Sequence, residues 1–182
     1  MSAPGGWIAG ARRVESSNCD ERPAGEAITL LVVHSISLPP GEYGGDWIER
    51  FFTNRLDPGA HPYFREVHEM KVSAHFLVRR DGALVQFVPL QRRAWHAGAS
   101  IWRGRERCND FSIGVELEGT DDTPFEALQY ETLAGLVHEL RRAVPLREIA
   151  AHSDVAPARK TDPGARFEWR RVLAALAQPS PA

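Results

Sequence analysis

Apolar and polar positions alternate along this chain with two periods. Ile28-Thr29-Leu30-Leu31-Val32-Val33 is nearly continuous in apolar and β-branched residues. Such a run predicts a strand over 28–33, covered on both faces. His34 follows directly at its C-terminal end, where open α/β sheets tend to bind ligands. The run FSIGVEL over 111–117 alternates instead. Phe111, Ile113, Val115 and Leu117 share one face, and Ser112, Gly114, Glu116 and Glu118 share the other. Gly114 lacks a side chain and leaves room beside Glu116 for another group. Taken alone, Glu116 reads as a solvated strand carboxylate. The segments SAHFLVRR and ALVQFV flank Asp81-Gly82, which predicts a hairpin of strands over 73–80 and 83–88.

Helical spacing marks three further segments. Trp47, Ile48, Phe51 and Phe52 predict a short helix over 46–52. Thr123-Pro124-Phe125-Glu126 reads as a capping box with proline at the first helical position. It opens a helix whose stripe is Tyr130, Leu133, Leu136, Val137 and Leu140, and Pro145 stops it. Trp169, Val172, Leu173 and Leu176 predict a last amphipathic helix over 167–177. Residues 1–26 read as irregular, with Trp7 and Ile8 touching the body, and 178–182 as a disordered tail. There is no internal repeat and no boundary, so 1–182 is expected to form a single domain.

Two connections stand out. The stretch 37–71 is long for a compact domain, which makes it either a lid or wall over a site or a plain surface excursion. The stretch AHSDVAPARKTDPG over 151–164 packs prolines and a glycine around His152, Lys160 and Asp162. It reads as a loop of fixed backbone, the kind of segment that presents chemistry on a rigid scaffold.

Composition narrows the classes. The 182 residues are 43% hydrophobic and 25% charged, and the net charge is −2. Those values suit an ordinary globular chain and provide no basic field for nucleic acid or anionic lipid. The pairs Arg79-Arg80, Arg92-Arg93, Arg141-Arg142 and Arg170-Arg171 read as solvated faces or strand ends, at least three of the four. No run approaches a membrane span. The N-terminus lacks the apolar core of a signal peptide. Cys19 and Cys108 form no CxxC pair and imply no disulfide framework, so the expected location is the cytoplasm; nothing in the sequence points beyond a monomer.

His34, His152 and Asp162 together would offer two imidazoles and a carboxylate, the three protein ligands of a catalytic zinc that keeps one position open. Amide hydrolysis at such a site needs a carboxylate base, for which Glu116 is the candidate. It also needs a cation near the developing oxyanion, for which Lys160 is the candidate. Trp95 and His96, among small residues, suit the wall of a sugar or peptide site, with a buried structural Trp as the competing reading. His75 reads as a satisfied core histidine. There is no HExxH helix, and spacing alone supports nothing narrower than a metal-assisted hydrolase.

The wording of the motifs narrows this. LLVVHSISLPPGEYGG, VSAHFLVRRDG, RAWHAG, GRERCNDFSIGVELEGTD and DVAPARKTDPG resemble the AmpD amidases, the 1,6-anhydro-N-acetylmuramoyl-L-alanine amidases of Gram-negative peptidoglycan recycling. The resemblance runs from about Trp7 to Leu176. It implies an α/β (α+β) fold with a central mixed β-sheet flanked by helices. It implies Zn2+ on His34, His152 and Asp162, with Glu116 and Lys160 as the catalytic pair. The implied substrate is an anhydro-muropeptide cut between the lactyl group of the sugar and L-Ala. Residues matching Trp95 and Tyr63 lie by the sugar in that family. Those matching Lys71, Arg107 and the Ala156 backbone lie by the peptide, where basic groups suit its carboxylates.

The chain departs from the family at Ser35, usually Asn, and at Ala151 and Ser153, where the family reads GHCD. Lys71 is often Arg, and a lysine lacks the bidentate fork. Two other readings stand beside the enzyme. One is a muropeptide-binding module on the same fold, which could dispense with ligands and base. The other is a structural zinc protein, against which three ligands and a nearby Glu and Lys argue.

Overall fold

The computed structural model describes residues 2–3 and 5–177. The expected tail at 178–182 lies outside the described residues. Six strands form the central sheet: β1 (Arg12–Arg13), β2 (Leu30–Ile36), β3 (Phe76–Val78), β4 (Leu84–Gln86), β5 (Ser112–Glu118) and β6 (Glu148–Ala151). Their spatial order is β6-β2-β5-β3-β4-β1. Strands β6, β2, β5 and β3 are mutually parallel, β3 and β4 are antiparallel across Asp81-Gly82, and β1 joins β4 in parallel. The sheet is therefore mixed, as the resemblance implied.

β2 and β5 are interior strands with a parallel neighbour on each side, which explains their composition. Parallel strands are covered on both faces, so each must carry buried side chains on both. One face, built from Leu31, Val33, Ile113, Val115 and Leu117, packs on Leu133, Leu136, Val137 and Leu140 of helix α3 (Ala127–Ala143) and on Val172 of α5 (Trp169–Leu176). On the other face lie Leu30 and Val32, which pack with Ala97, Phe111 and Val155. Farther along the sheet, Leu77, Val85 and Phe87 are covered by Ile48, Phe51 and Phe52 of α1 (Trp47–Phe52) and by Phe64 of α2 (Phe64–Val67).

Several expectations need correction. Residues 1–26 are not irregular throughout. Arg12–Arg13 joins the sheet, and Cys19–Glu21 pairs antiparallel with Arg92–Ala94. Such two- and three-residue ladders leave no periodicity to read. β2 does not end at Val33: Ser35 and Ile36 pair with Leu117 and Glu118, so His34 lies within the strand. Helix α3 begins at Ala127, not at the proposed proline. Phe125 is buried against Tyr130 and Phe167, which holds 123–126 extended. The box closes one turn later, where Gln129 Oε1 accepts from the Glu126 N–H at 3.0 Å.

The arginine pairs also differ from expectation. Arg79 lies between Glu49 and Glu118, at 3.4 Å from each, and Arg93 bridges Asp20 and Asp110. Only 14% of the Arg79 side chain is exposed, so this guanidinium is an internal strut, not a solvated strand end. The 37–71 segment is correspondingly fixed. Its Phe51, Phe52, Leu56 and Phe64 are buried, and Glu118 accepts from the Gly44 N–H at 2.7 Å. It forms a packed wall.

Candidate metal centre and active site

Register alone assembles the core of the site. In the β5–β2 ladder Glu116 stands opposite His34. In the β6–β2 ladder Ala151 stands opposite Val33, so His152, the next residue, continues beside His34. Opposed residues of parallel strands share a face and lie about 4.8 Å apart. His152, His34 and Glu116 thus form a row across three strands on the face away from α3. His152 opens a single helical turn, α4 (His152–Val155), where the sequence suggested a loop. Asp154 holds that turn by accepting from the Ala151 N–H at 2.8 Å. The chain then returns through Lys160 to Asp162, whose carbonyl accepts from the Ser153 N–H at 3.0 Å. Gly164, at φ +84°, packs so closely on Asp121 that a Cβ would meet the Asp121 Cα at 2.2 Å.

These constraints bring three donors together. His34 Nδ1 and His152 Nδ1 are 2.9 Å apart, and Asp162 Oδ2 lies 3.0 Å from His152 Nδ1 and 3.4 Å from His34 Nδ1. Tetrahedral zinc with bonds of about 2.0–2.1 Å separates its ligands by roughly 3.3 Å. The donor set fits such an ion in both spacing and chemistry. Burial lowers the His34 pKa to about 4, which keeps the ring neutral at pH 7. Burial would raise the Asp162 pKa, but its close contacts with the His152 and His34 rings outweigh it and hold the carboxyl below its usual range. Neutral imidazole and ionised carboxylate are the states that bind a cation. Among the described residues this group has three members, leaving a fourth position open.

Glu116 stands at the edge of the row. It is 9% exposed, and its Oε2 has no hydrogen-bond partner among the described residues. Burial, reinforced by the charge of Asp162, pushes its pKa well above the ordinary carboxylate range, while Lys160 pulls it back. The solvated-carboxylate reading therefore fails. A buried, under-satisfied carboxyl facing a cleft is what general acid–base work requires.

The cleft has a volume of about 430 Å³ and is lined by His34, Glu116, His152, Lys160 and Asp162. Tyr63 and Trp95 form part of its wall, with Val67 and Met70. Arg107 and Ala156 lie instead on a second hollow of about 690 Å³, beside Ile101, Val155 and Arg159. Lys71 lines neither. Its Nζ donates to Asn54 Oδ1 at 3.0 Å. His75 is a core residue, as expected. It is fully buried, with Nδ1 accepting from the Gly114 N–H and Nε2 against the Arg92 carbonyl.

The residue whose role the sequence did not show is His96. It belongs to the cleft wall, half-buried, as expected, but it also reaches a ligand: its Nδ1 lies 2.9 Å from His34 Nε2. A signal for it existed in Gly114. A Cβ there would meet His96 Cγ at 2.4 Å, so this ring is the group that fills the space beside Glu116.

Comparison with known proteins agrees with this geometry. Residues 24–165 match the model of the N-acetylmuramoyl-L-alanine amidase family. The 1,6-anhydro-N-acetylmuramyl-L-alanine amidase AmpD of Escherichia coli K12 is 56% identical over 168 residues, covering 91% of this chain and 92% of that protein. A crystal structure of AmpD superimposes with a TM-score of 0.94 at 52% identity, covering 97% of this chain and all of the other. The amidase AmiD of E. coli has been solved with anhydro-N-acetylmuramic acid-L-Ala-D-γ-Glu-L-Lys. It aligns at 28% identity with a TM-score of 0.61, over 88% of this chain and 66% of its own. By family match, identity and fold, this chain belongs to the N-acetylmuramoyl-L-alanine amidases.

Proposed function

We propose that the protein is a zinc amidase that hydrolyses the bond between the lactyl carbonyl of 1,6-anhydro-N-acetylmuramic acid and the nitrogen of L-Ala, in peptidoglycan recycling. The observation that carries this reading is the row of His152, His34 and Glu116, with Asp162 converging on the two imidazoles and Lys160 lining the same cleft. High identity to AmpD supports the anhydro sugar as substrate. The reading includes residence in the cytoplasm, where Cys19 and Cys108 stay as free thiols. No described helix is long and apolar enough to cross a membrane.

His34, His152 and Asp162 would hold the zinc. When bound, it supplies a Lewis acid and brings the pKa of water down to about 7. Glu116 faces the same space and takes the proton from the attacking water at its carboxylate. It then returns that proton to the departing L-Ala nitrogen, since an amine leaves readily only when protonated. Lys160 places its ammonium by the carbonyl oxygen as negative charge develops there. Trp95 and Tyr63 give the compact sugar an apolar wall. Arg107 and the Ala156 backbone, on the neighbouring hollow, receive the stem peptide. Lys71 is engaged with Asn54 and would have to leave that partner to take part.

Mass spectrometry of an anhydro-muropeptide digest tests this. Zinc-loaded protein should release free anhydro-N-acetylmuramic acid and an intact stem peptide, and chelated protein should release neither. A zinc-loaded protein that binds the muropeptide without cutting it would make the chain a recognition module. Cleavage that persists after verified metal removal would end the zinc mechanism.

A further inference from the structure

We propose that His96 is the positioning residue that fixes the tautomer and orientation of His34, through a chain of hydrogen bonds that starts at a backbone carbonyl. The proposal rests on the zinc-amidase reading for its consequence but on geometry for its direction. Ser112 Oγ lies 2.6 Å from the Cys108 carbonyl, which can only accept, so the hydroxyl donates there. Its oxygen is then the acceptor for His96 Nε2–H at 3.3 Å. With that proton on Nε2, the Nδ1 of neutral His96 is bare and accepts from His34 Nε2–H at 2.9 Å. His34 Nδ1 is left bare, facing His152 and Asp162. Each step follows from the one before, because a neutral imidazole carries one proton on two nitrogens.

The second imidazole is held from the same segment. His152 Nε2 lies 3.3 Å from the Ala97 carbonyl, an acceptor only, and would donate there once zinc took Nδ1, which otherwise faces Asp162 Oδ2 at 3.0 Å. Residues 96 and 97 are themselves fixed by one side chain: Asn109 Oδ1 accepts from the His96 N–H at 3.3 Å and the Ala97 N–H at 2.9 Å. Gly114 lets the His96 ring reach this position. Metal-bound histidines ordinarily give their outer N–H to a carboxylate or carbonyl. Here His34 gives it to another histidine, so its support depends on the remote Ser112 hydroxyl.

The test compares zinc affinity, by competition with a chromophoric chelator, in the wild type, His96→Phe, His96→Asn and Ser112→Ala. Phenylalanine keeps the ring but removes the acceptor. Asparagine places an amide oxygen where Nδ1 was. His96→Phe should lose about 10- to 100-fold in zinc affinity. His96→Asn should recover most of that loss, and Ser112→Ala should show a smaller loss. Long-range proton–nitrogen NMR of the zinc-loaded wild type should show His34 protonated on Nε2. Equal affinity in wild type and His96→Phe would overturn the proposal, as would equal losses in the Phe and Asn variants. If His96→Phe does not fold, His96→Asn, Ser112→Ala and the spectrum decide. Unchanged affinity in Ser112→Ala together with His34 protonated on Nδ1 would then overturn it. A wild type that binds no zinc would bring down the amidase reading itself, a result distinct from any of these.

Discussion

The two faces of the β2–β5 pair follow different rules. The face toward α3 is apolar: Leu31, Val33, Ile113, Val115 and Leu117 meet Leu133, Leu136, Val137 and Leu140, and every one is buried. The face toward the cleft carries His34 and Glu116 in the same two strands, both largely withdrawn from water. Burying a methyl group stabilises the fold, whereas burying a carboxyl without a partner costs about 1–3 kcal/mol. The first face therefore supplies stability. The second holds groups in states that water would not permit, and depends on the first to keep them there.

Substitutions separate the two faces. The largest effect is expected for Asp162→Ala, which removes a donor from the three-membered cluster. Zinc stoichiometry near zero and loss of turnover in a folded protein are the expected results. A variant that retained full zinc would show that Asp162 is not a ligand. Next is Glu116→Gln, which should lower kcat by about 10²–10⁴ while leaving the melting temperature equal or higher, because an under-satisfied buried acid has gone. A lower melting temperature with normal kcat would place Glu116 on the structural side of the comparison. Leu133→Ala should do the reverse, costing about 2–5 kcal/mol of stability with kcat per folded molecule unchanged. Denaturant melts alongside active-site titration would measure both.

The smallest effect is a pH dependence in the metal-free protein. The Glu116 pKa is raised in the folded state, so the folded chain binds more protons than the unfolded chain above the ordinary value of 4.5. Its contribution is fully present below 4.5 and is lost as pH rises toward the raised value. His34 works oppositely between about 4 and 6.5, where the unfolded chain binds more protons and stability grows with pH. The difference in unfolding free energy between wild type and Glu116→Gln cancels the histidine. That difference should move against the wild type as pH climbs from 4.5 to 7, and a flat difference would show that Glu116 is not strained by burial.

Much of this was legible in the chain. The run at 28–33 announced a buried strand because parallel strands have no solvent face to encode, whereas the alternation over 111–117 announced a strand but not the burial of its polar face. Asp81-Gly82 announced the hairpin, and the stripe from Tyr130 to Leu140 announced α3. His34, His152, Asp162, Glu116 and Lys160 could be named from their chemistry and from motifs that resemble an amidase family. Less was visible where an element is too short to show a period. The ladders at Arg12–Arg13 and Cys19–Glu21 are examples, as is the single turn at His152. Arg79 and Arg93 looked like surface charges because sequence shows a residue's polarity but not the buried acids that receive it.

What the sequence determined by itself is the set of strands and helices and the identity of the reactive groups, since both follow from residue type and local period. What only the tertiary structure decided is their alignment. Strand order and register set His152, His34 and Glu116 side by side, although 118 residues separate the two histidines. The role of His96 was likewise decided in three dimensions, by a glycine on one strand and the Cys108 carbonyl at the start of a turn. Register and hydrogen-bond direction are relations between distant segments, fixed by which strands pair and which atoms can only accept, and no local pattern carries them.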